Sequence, residues 1–256
     1  MDETGIPYYV TMSTKASVVD HVCLLSACRE FIRRTGNTVY TDSMPDVIAA
    51  YQDSKLLFGN RGVKMQLHLV ESHREKESGD YINYYGTFLA AMGLLRKGDV
   101  PKLELPKFES VEPKVLIQPA AFYAENSGLS YVQGLVDKFV KLTGKRVYVV
   151  GKVSTPRMLK NVDYSLLQDG VTNIMRLVQS AELVMTPRSL LAHLAAGYGR
   201  PSFVWVPENG ENWHLNYVDW PRVLHSFEEG ELVGGEILKA FVRRKPEEMK
   251  AIGELK

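Results

Sequence analysis

The chain has 256 residues, 45% of them apolar and 24% charged, which is one large or two small globular domains with core enough to fold without staples. Disordered, collagen-like and mini-protein classes are thereby excluded. Thirty-one Lys+Arg against thirty Asp+Glu leave +1, so no global field draws the chain to nucleic acid or an anionic membrane.

The first half alternates short strands and helices. Tyr8–Met12 reads as a strand, being aromatic and β-branched. Asp20–Arg34 places Val22, Leu25, Cys28, Phe31 and Ile32 at helical spacing and stops at Gly36. A second strand is expected at Thr38–Thr41, a helix at Met44–Phe58 with Pro45 in its first turn, and a third strand at Val63–Val70. Glu71–Gly79 is polar loop and Tyr81–Leu94 an apolar helix. Arg96–Pro113 then sets Pro101, Pro106 and Pro113 among charges, and no periodic element fits there, so it reads as a linker.

The second half repeats the alternation. Strands are expected at Lys114–Gln118, Arg146–Val150, Glu182–Met185 and Ser202–Val206. Helices are expected at Tyr131–Thr143, Asn173–Gln179 and Ser189–Gly197. Such alternation argues for parallel sheets with right-handed crossovers. The fold class expected is therefore α/β, two Rossmann-like domains joined by a Pro-rich linker. Their boundaries fall at 1–105 and 106–236, with a charged helical tail over 237–256. Ligands of such sheets sit beyond the carboxyl ends of the strands, here in a cleft between the domains.

The two cysteines, Cys23 and Cys28, lie five apart in one helix, as reduced core thiols of a cytosolic protein do. MDETGIPYYV lacks the basic and apolar regions of a signal peptide, and Tyr84–Leu95 is too short to span a bilayer. A soluble, cytoplasmic protein is expected. There is no GxGxxG after the first strand, no GxxxxGK[ST], no HExxH and no GxSxG, which disfavours nicotinamide, P-loop, zinc-protease and serine-hydrolase chemistry. His68, His73, His214 and His225 show no metal-ligand spacing. Trp205, Trp213, Tyr217 and Trp220 surround a polar turn; they stack on a sugar or base, or they are packing.

Ala181–Pro201, AELVMTPRSLLAHLAAGYGRP, is the most informative segment. A strand enters a Thr-Pro-Arg-Ser turn and then a small-residue helix. Thr186 is suited to cap that helix, Pro187 to its first position, and Arg188 to its first turn. A helix N-terminus favours phosphate through its free N–H groups and its dipole, and an arginine adds a bidentate contact. The bland alternative is a solvated charge at a helix start.

This segment resembles the donor loop of glycosyltransferase family 9, the ADP-heptose:lipopolysaccharide heptosyltransferases, which runs approximately T-N-D-S-G-P-M-H-L-A-A-A-x-G-x-P. Thr186, Ser189, His193, Leu194, Ala195, Ala196, Gly199 and Pro201 fall in register, with Arg188 in place of the Asp and Leu190-Leu191 in place of Gly-Pro. Gln118-Pro119-Ala120-Ala121 resembles the loop that follows the first strand of the family's second domain, and Val149-Val150-Gly151 the glycine-terminated strand after it. Ser13–Asp20 resembles the family's first turn, with Asp20 where the catalytic base stands, Val19 for the preceding Gly and Ser26 for the Pro. The likeness runs from Tyr8 to Leu224.

The resemblance implies a GT-B architecture and an inverting glycosyltransferase that takes a nucleotide-diphosphate sugar. Asp20 would be the base, against the alternative that it only caps a helix. Thr186, Arg188, Ser189, His193, Pro119, Ala120 and Gly151 would line the donor. The family's donor lysine has no counterpart in Glu125-Asn126-Ser127, and Arg188 would supply that charge. Lys15 and Ser17 would lie on the acceptor side. The acceptor would be a glycan or lipopolysaccharide-like hydroxyl. No metal is expected, since helix dipole and cations can carry the leaving diphosphate. The alternatives are a transferase acting on hydroxymethylated DNA bases, for which Arg29, Arg33, Arg34, Arg61, Arg243, Arg244 and Lys245 would have to form a basic face, and a nucleotide-sugar binding protein without activity. A monomer is expected.

Overall fold

The computed structural model describes residues 7–11, 16–65, 83–95, 101–119, 126–151, 159–167, 170–187, 189–206 and 222–226, with the backbone alone at 126–131, 205–206 and 222–226. The described residues divide into two compact units, one running to Lys107 and the other from Phe108 onward.

In the first unit β1 (Tyr8–Val10), β2 (Val39–Thr41), β3 (Leu56–Phe58) and β4 (Val63–Lys64) form one sheet in the order β3-β2-β1-β4, every pairing parallel. Helix α1 (Val18–Thr35) connects β1 to β2. Its N-terminus is closed by a reciprocal capping box, in which Ser17 Oγ accepts the Asp20 N–H and the Asp20 carboxylate accepts the Ser17 N–H. Gly36 ends it at φ 72°, its N–H returning 2.8 Å to Ile32 O, a left-handed turn that suits glycine. Val22–Cys28 of α1 are buried, so this helix supplies the first unit's core. Both cysteines are reduced and buried, as the sequence suggests.

The helix expected over Met44–Phe58 is shorter. It is α2 (Pro45–Ala50), and the remainder turns back to become β3. Gln52 sits at φ 50°, outside helical space, and Asp53 Oδ1 accepts the Lys55 N–H at 3.0 Å to hold the turn. Leu56–Phe58 then pairs with Val39–Thr41, so sheet pairing overrides the local apolar run. Gly62 precedes β4 at φ 106°, where a Cβ would stand 2.2 Å from Pro7 O; only glycine fits that approach. Of the strand expected at Val63–Val70, Val63–Lys64 is β4, and residues 66–70 lie outside the described part. Helix α3 (Tyr84–Ala91) packs on α1 and starts at Asn83, whose side chain accepts the Gly86 N–H.

Residues 101–113 hold no helix or strand, as expected, but they are no solvated tether. Leu103 and Leu105 are buried. Within the second unit, Gln179 makes paired bonds to the Phe108 backbone at 2.7 and 2.8 Å, and Ser180 Oγ accepts the Val111 N–H at 3.0 Å.

The second unit is built on a six-stranded sheet of β5 (Val115–Ile117), β6 (Val147–Val149), β7 (Val162–Asp163), β8 (Leu183–Pro187), β9 (Ser202–Val206) and β10 (Arg222–Ser226). Its order is β10-β9-β8-β5-β6-β7, all parallel. Numbered within the unit and read from β7, that is 3-2-1-4-5-6, the Rossmann order. Strands β7 and β10 were not expected; β7 has two residues, too few to show a period. Val115, Ile117, Val147, Val149, Met185 and Phe203 pack on one face against Val132, Leu135, Val136 and Phe139 of α4 (Asn126–Thr143). Leu116, Val184 and Val204 are fully buried as well, so both faces are covered and the strands read as continuous apolar runs. Helices α5 (Val171–Gln179) and α6 (Leu190–Gly197) complete the unit. The predicted tail helix lies outside the described residues. Among the described residues no helix is long and apolar enough to cross a membrane.

Candidate functional site

In a doubly wound sheet, the direction of winding reverses between two neighbouring strands, and their carboxyl ends leave a crevice there. In the second unit these strands are β5 and β8. Each ends in polar residues. Gln118 follows β5, Thr186 and Pro187 finish β8, and Ser189 caps α6.

The strand runs further than the sequence suggests. Thr186 and Pro187 keep ladder register with Val204 and Trp205. Thr186 therefore does not cap the helix and Pro187 is not its first residue; Ser189 is the cap, accepting the Leu191 N–H at 3.3 Å. Ser189 Oγ also donates to Gln118 Oε1 at 2.7 Å and lies 2.8 Å from Thr186 Oγ1. A longer bond of 3.4 Å joins Thr186 Oγ1 to Gln118 Oε1. Three side chains from two strand ends and one helix start thus form a single cluster, with the amide oxygen of Gln118 as its common acceptor. Gln118 opens the Gln118–Ala121 loop that the sequence singles out but has no donor-binding role assigned there; the pairing of β5 with β8, 68 residues apart at Thr186, brings it to the hydroxyls.

Thr186 is fully buried and His193, one turn into α6, is 4% exposed. Pro119 is buried directly after Gln118, and Gly151 is buried at φ 134° at the carboxyl end of β6, the strand next to β5. Thr186, Ser189, Pro119 and Gly151 therefore share one end of one sheet. Arg188 and Ala120 lie outside the described residues, as does Lys15.

The first unit carries its own polar set at the corresponding end. Asp20 is the third residue of α1, half-buried, with Ser17 as the N-cap. Its Oδ2 accepts the Ser17 N–H at 2.5 Å, and its Oδ1 accepts the Tyr84 hydroxyl. Tyr84 is held protonated, its pKa pushed up by burial first and by the Asp20 bond and charge after. Close by in the fold, Tyr9 and Thr11 both donate to Asp42 Oδ2, at 2.9 and 2.6 Å, and His21 Nδ1 lies 2.7 Å from Ser43 Oγ. Tyr84, Asp42, His21 and Ser43 carried no spacing signal in the sequence.

No protein-family model matches the chain, and no curated protein matches it significantly. Solved structures do match. The dodecameric iron-containing heptosyltransferase TibC in complex with ADP-D-β-D-heptose superposes with a TM-score of 0.63 at 13% identity, over 96% of this chain and 76% of that one. E. coli ADP-heptose LPS heptosyltransferase II gives 0.60 at 12% identity, over 97% and 98%. The family 9 glycosyltransferase of Veillonella parvula gives 0.58 at 11% identity, over 97% and 92%. A likeness at such identities is one of fold, and the α/β fold, two parallel sheets with their helices, is that of these GT-B proteins.

The expectation of no metal does not stand. Both TibC structures, one bound to ADP-heptose and one from enterotoxigenic E. coli, are of an iron-containing protein. Among the described residues no group of three or more His, Cys, Asp or Glu is placed to hold a metal ion, so those residues offer no set that fits iron.

Proposed function

We propose that the protein is an inverting glycosyltransferase that moves a sugar from a nucleotide-diphosphate sugar to an acceptor hydroxyl of a glycan or lipopolysaccharide-like molecule. The observation that carries this reading is the Gln118–Thr186–Ser189 cluster at the switch point of a sheet whose fold is shared with enzymes of nucleotide sugars.

In this reading the donor diphosphate lies at the mouth of α6, where free N–H groups and the helix dipole favour negative charge. Ser189 and His193 would hold it there with Arg188, and Thr186, Pro119, Ala120 and Gly151 would shape the wall. Lys15 and Ser17 would face the acceptor. Asp20 takes the proton of the acceptor hydroxyl. The acceptor oxygen bonds to the anomeric carbon as the bond from that carbon to the diphosphate breaks, and the nucleoside diphosphate leaves with the electron pair. Attack opposite the leaving group inverts the anomeric centre. The helix mouth carries the charge that develops on the leaving oxygen.

The test is a thermal-shift panel of ADP, UDP, GDP and CDP and their sugars on the wild type and Arg188→Ala. A ligand at 100 times its dissociation constant adds about 2.7 kcal/mol. One nucleotide family should raise the melting temperature of the wild type and not of the variant. No shift with any of them sinks the reading.

A further inference from the structure

We infer that Tyr84 is the positioning residue for Asp20, fixing the orientation of its carboxylate for proton transfer. The inference rests on the reading of Asp20 as base.

The side chain of an unrestrained aspartate turns about two torsions, and the second is broad. In Asp20 the two oxygens are taken by donors from separate parts of the chain, Oδ2 by the Ser17 N–H and Oδ1 by the Tyr84 hydroxyl. The capping bond alone fixes one point and leaves the group free to pivot about it. The second donor, 64 residues away in sequence, fixes the plane. A carboxylate has about four lone-pair sites, and among the described residues one donor meets each oxygen, so each keeps one for an incoming proton, and its direction is set.

Tyr84 is well placed to do this because it is itself fixed. It is the first residue of α3, directly after Asn83. Asn83 is fully buried, accepts the Gly86 N–H and donates to Pro101 O, both at 2.9 Å. The Tyr84 ring stands edge-on to Phe88, centroids 5.5 Å apart at 79°, and Phe88 is fully buried. A phenylalanine would keep that ring contact; the hydroxyl adds the bond to Asp20.

The titratable groups around the carboxylate support the assignment. On α3 this is Tyr84; on α1 it is Cys23, whose thiol is also pushed up by burial and then by the Asp20 charge. Both hold their protons through the neutral range. His21, beside Asp20 in the chain, is engaged with Ser43.

The experiment measures release of nucleoside diphosphate by the full chain from the donor sugar selected in the panel above, over a range of donor concentrations, for the wild type, Tyr84→Phe, Asp20→Asn and the double variant. Asp20→Asn should lose about 100-fold or more. Tyr84→Phe should lose about tenfold or more in kcat, with KM for the donor sugar and the affinity for the nucleoside diphosphate unchanged. In the double variant Tyr84→Phe should add no loss to that of Asp20→Asn, because Tyr84 acts through that carboxylate. A merely structural tyrosine would multiply the two losses and raise KM for the donor sugar as kcat falls, which overturns the inference while the base reading stands. So does wild-type turnover in Tyr84→Phe. Wild-type turnover in Asp20→Asn overturns the base reading and the inference together, as does a wild type that releases no nucleotide from any donor.

Discussion

Removal of one hydroxyl at the switch point should loosen two strand ends and a helix together. Ser189 Oγ accepts the Leu191 N–H at 3.3 Å, donates to Gln118 Oε1 at 2.7 Å and lies 2.8 Å from Thr186 Oγ1. Ser189→Ala deletes a helix cap, typically about 1 kcal/mol. Among the described residues it leaves Thr186, fully buried, with its 3.4 Å approach to Gln118, and each net hydrogen bond lost is about 1 kcal/mol. Gln118 is half-buried, so water can replace its lost donor, and the expected cost of Ser189→Ala is about 2 kcal/mol. Gln118→Ala removes one acceptor from the cluster and should cost about 1 kcal/mol. The double variant should cost less than the sum by about 0.5 kcal/mol or more, since the bond between the two residues is lost once. Ser189→Thr keeps the cap and the donor and should change little. Urea unfolding of the full chain gives all four values at constant slope. A Ser189→Ala cost below about 0.5 kcal/mol, the ordinary range for a surface change, or strict additivity in the double variant, refutes the cluster.

Three further outcomes follow from the first unit and from the cysteines. Glu30 accepts Arg33 at 2.6 Å and Arg34 at 2.5 Å, and these bonds, that of Arg33 foremost, hold its carboxyl below the usual range. A depressed carboxyl contributes stability above its unfolded pKa, near 4.3, and loses it as pH falls through the lower folded value. The cost of Glu30→Gln, at most about 1 kcal/mol for so exposed a pair, should therefore be present at neutral pH and vanish in acid; denaturation at both pH values reads it, and an equal cost at both refutes it. Gly36→Ala should destabilise by about 1 kcal/mol: φ is 72° and the nearest atom to the new Cβ is Lys55 Nζ at 3.9 Å, so the cost is conformational and not steric. Cys23 and Cys28 are fully buried, and burial pushes the Cys28 thiol up to about 12. Neither should react with a thiol reagent at mild alkaline pH until urea unfolds the chain, and rapid native labelling would contradict that placement.

The fold was legible where apolar runs were long enough to carry a period. Strand β9 spans Ser202–Val206 as read, and α1, β5 and β6 lie within two residues of expectation. The failures have local causes. Leu56–Phe58 continues an apolar stretch and looks helical, yet it serves as an edge strand because β2 offers it a ladder. The end of β8 was misplaced by two residues and the cap of α6 by three, because a threonine and a proline suit a helix start as well as a strand end, and pairing with β9 decides between them. Of the candidate site, single residues at helix starts could be picked out, Asp20 and Ser189 among them. Their partners could not. Tyr84 reaches Asp20 and Gln118 reaches Ser189 across 64 and 71 residues of chain, and no local pattern encodes such a meeting.

The winding of the second sheet also sets an order of events in folding. Strand β5 is central, between β6 and β8. Its β6 side is available early, since Val147 pairs with Val115 soon after α4 is made. Its other side stays open until the chain has run the 68 residues from Gln118 to Thr186. At about 5–20 residues per second of synthesis, that is a wait of several seconds with an apolar strand edge exposed. Parallel pairing over such separations is slow to form and vulnerable to association while it waits. A nascent chain of this protein cut short before β8 would therefore carry the sticky half of its sheet without the strand that shields it, and its yield should depend on chaperones more steeply than that of the finished chain.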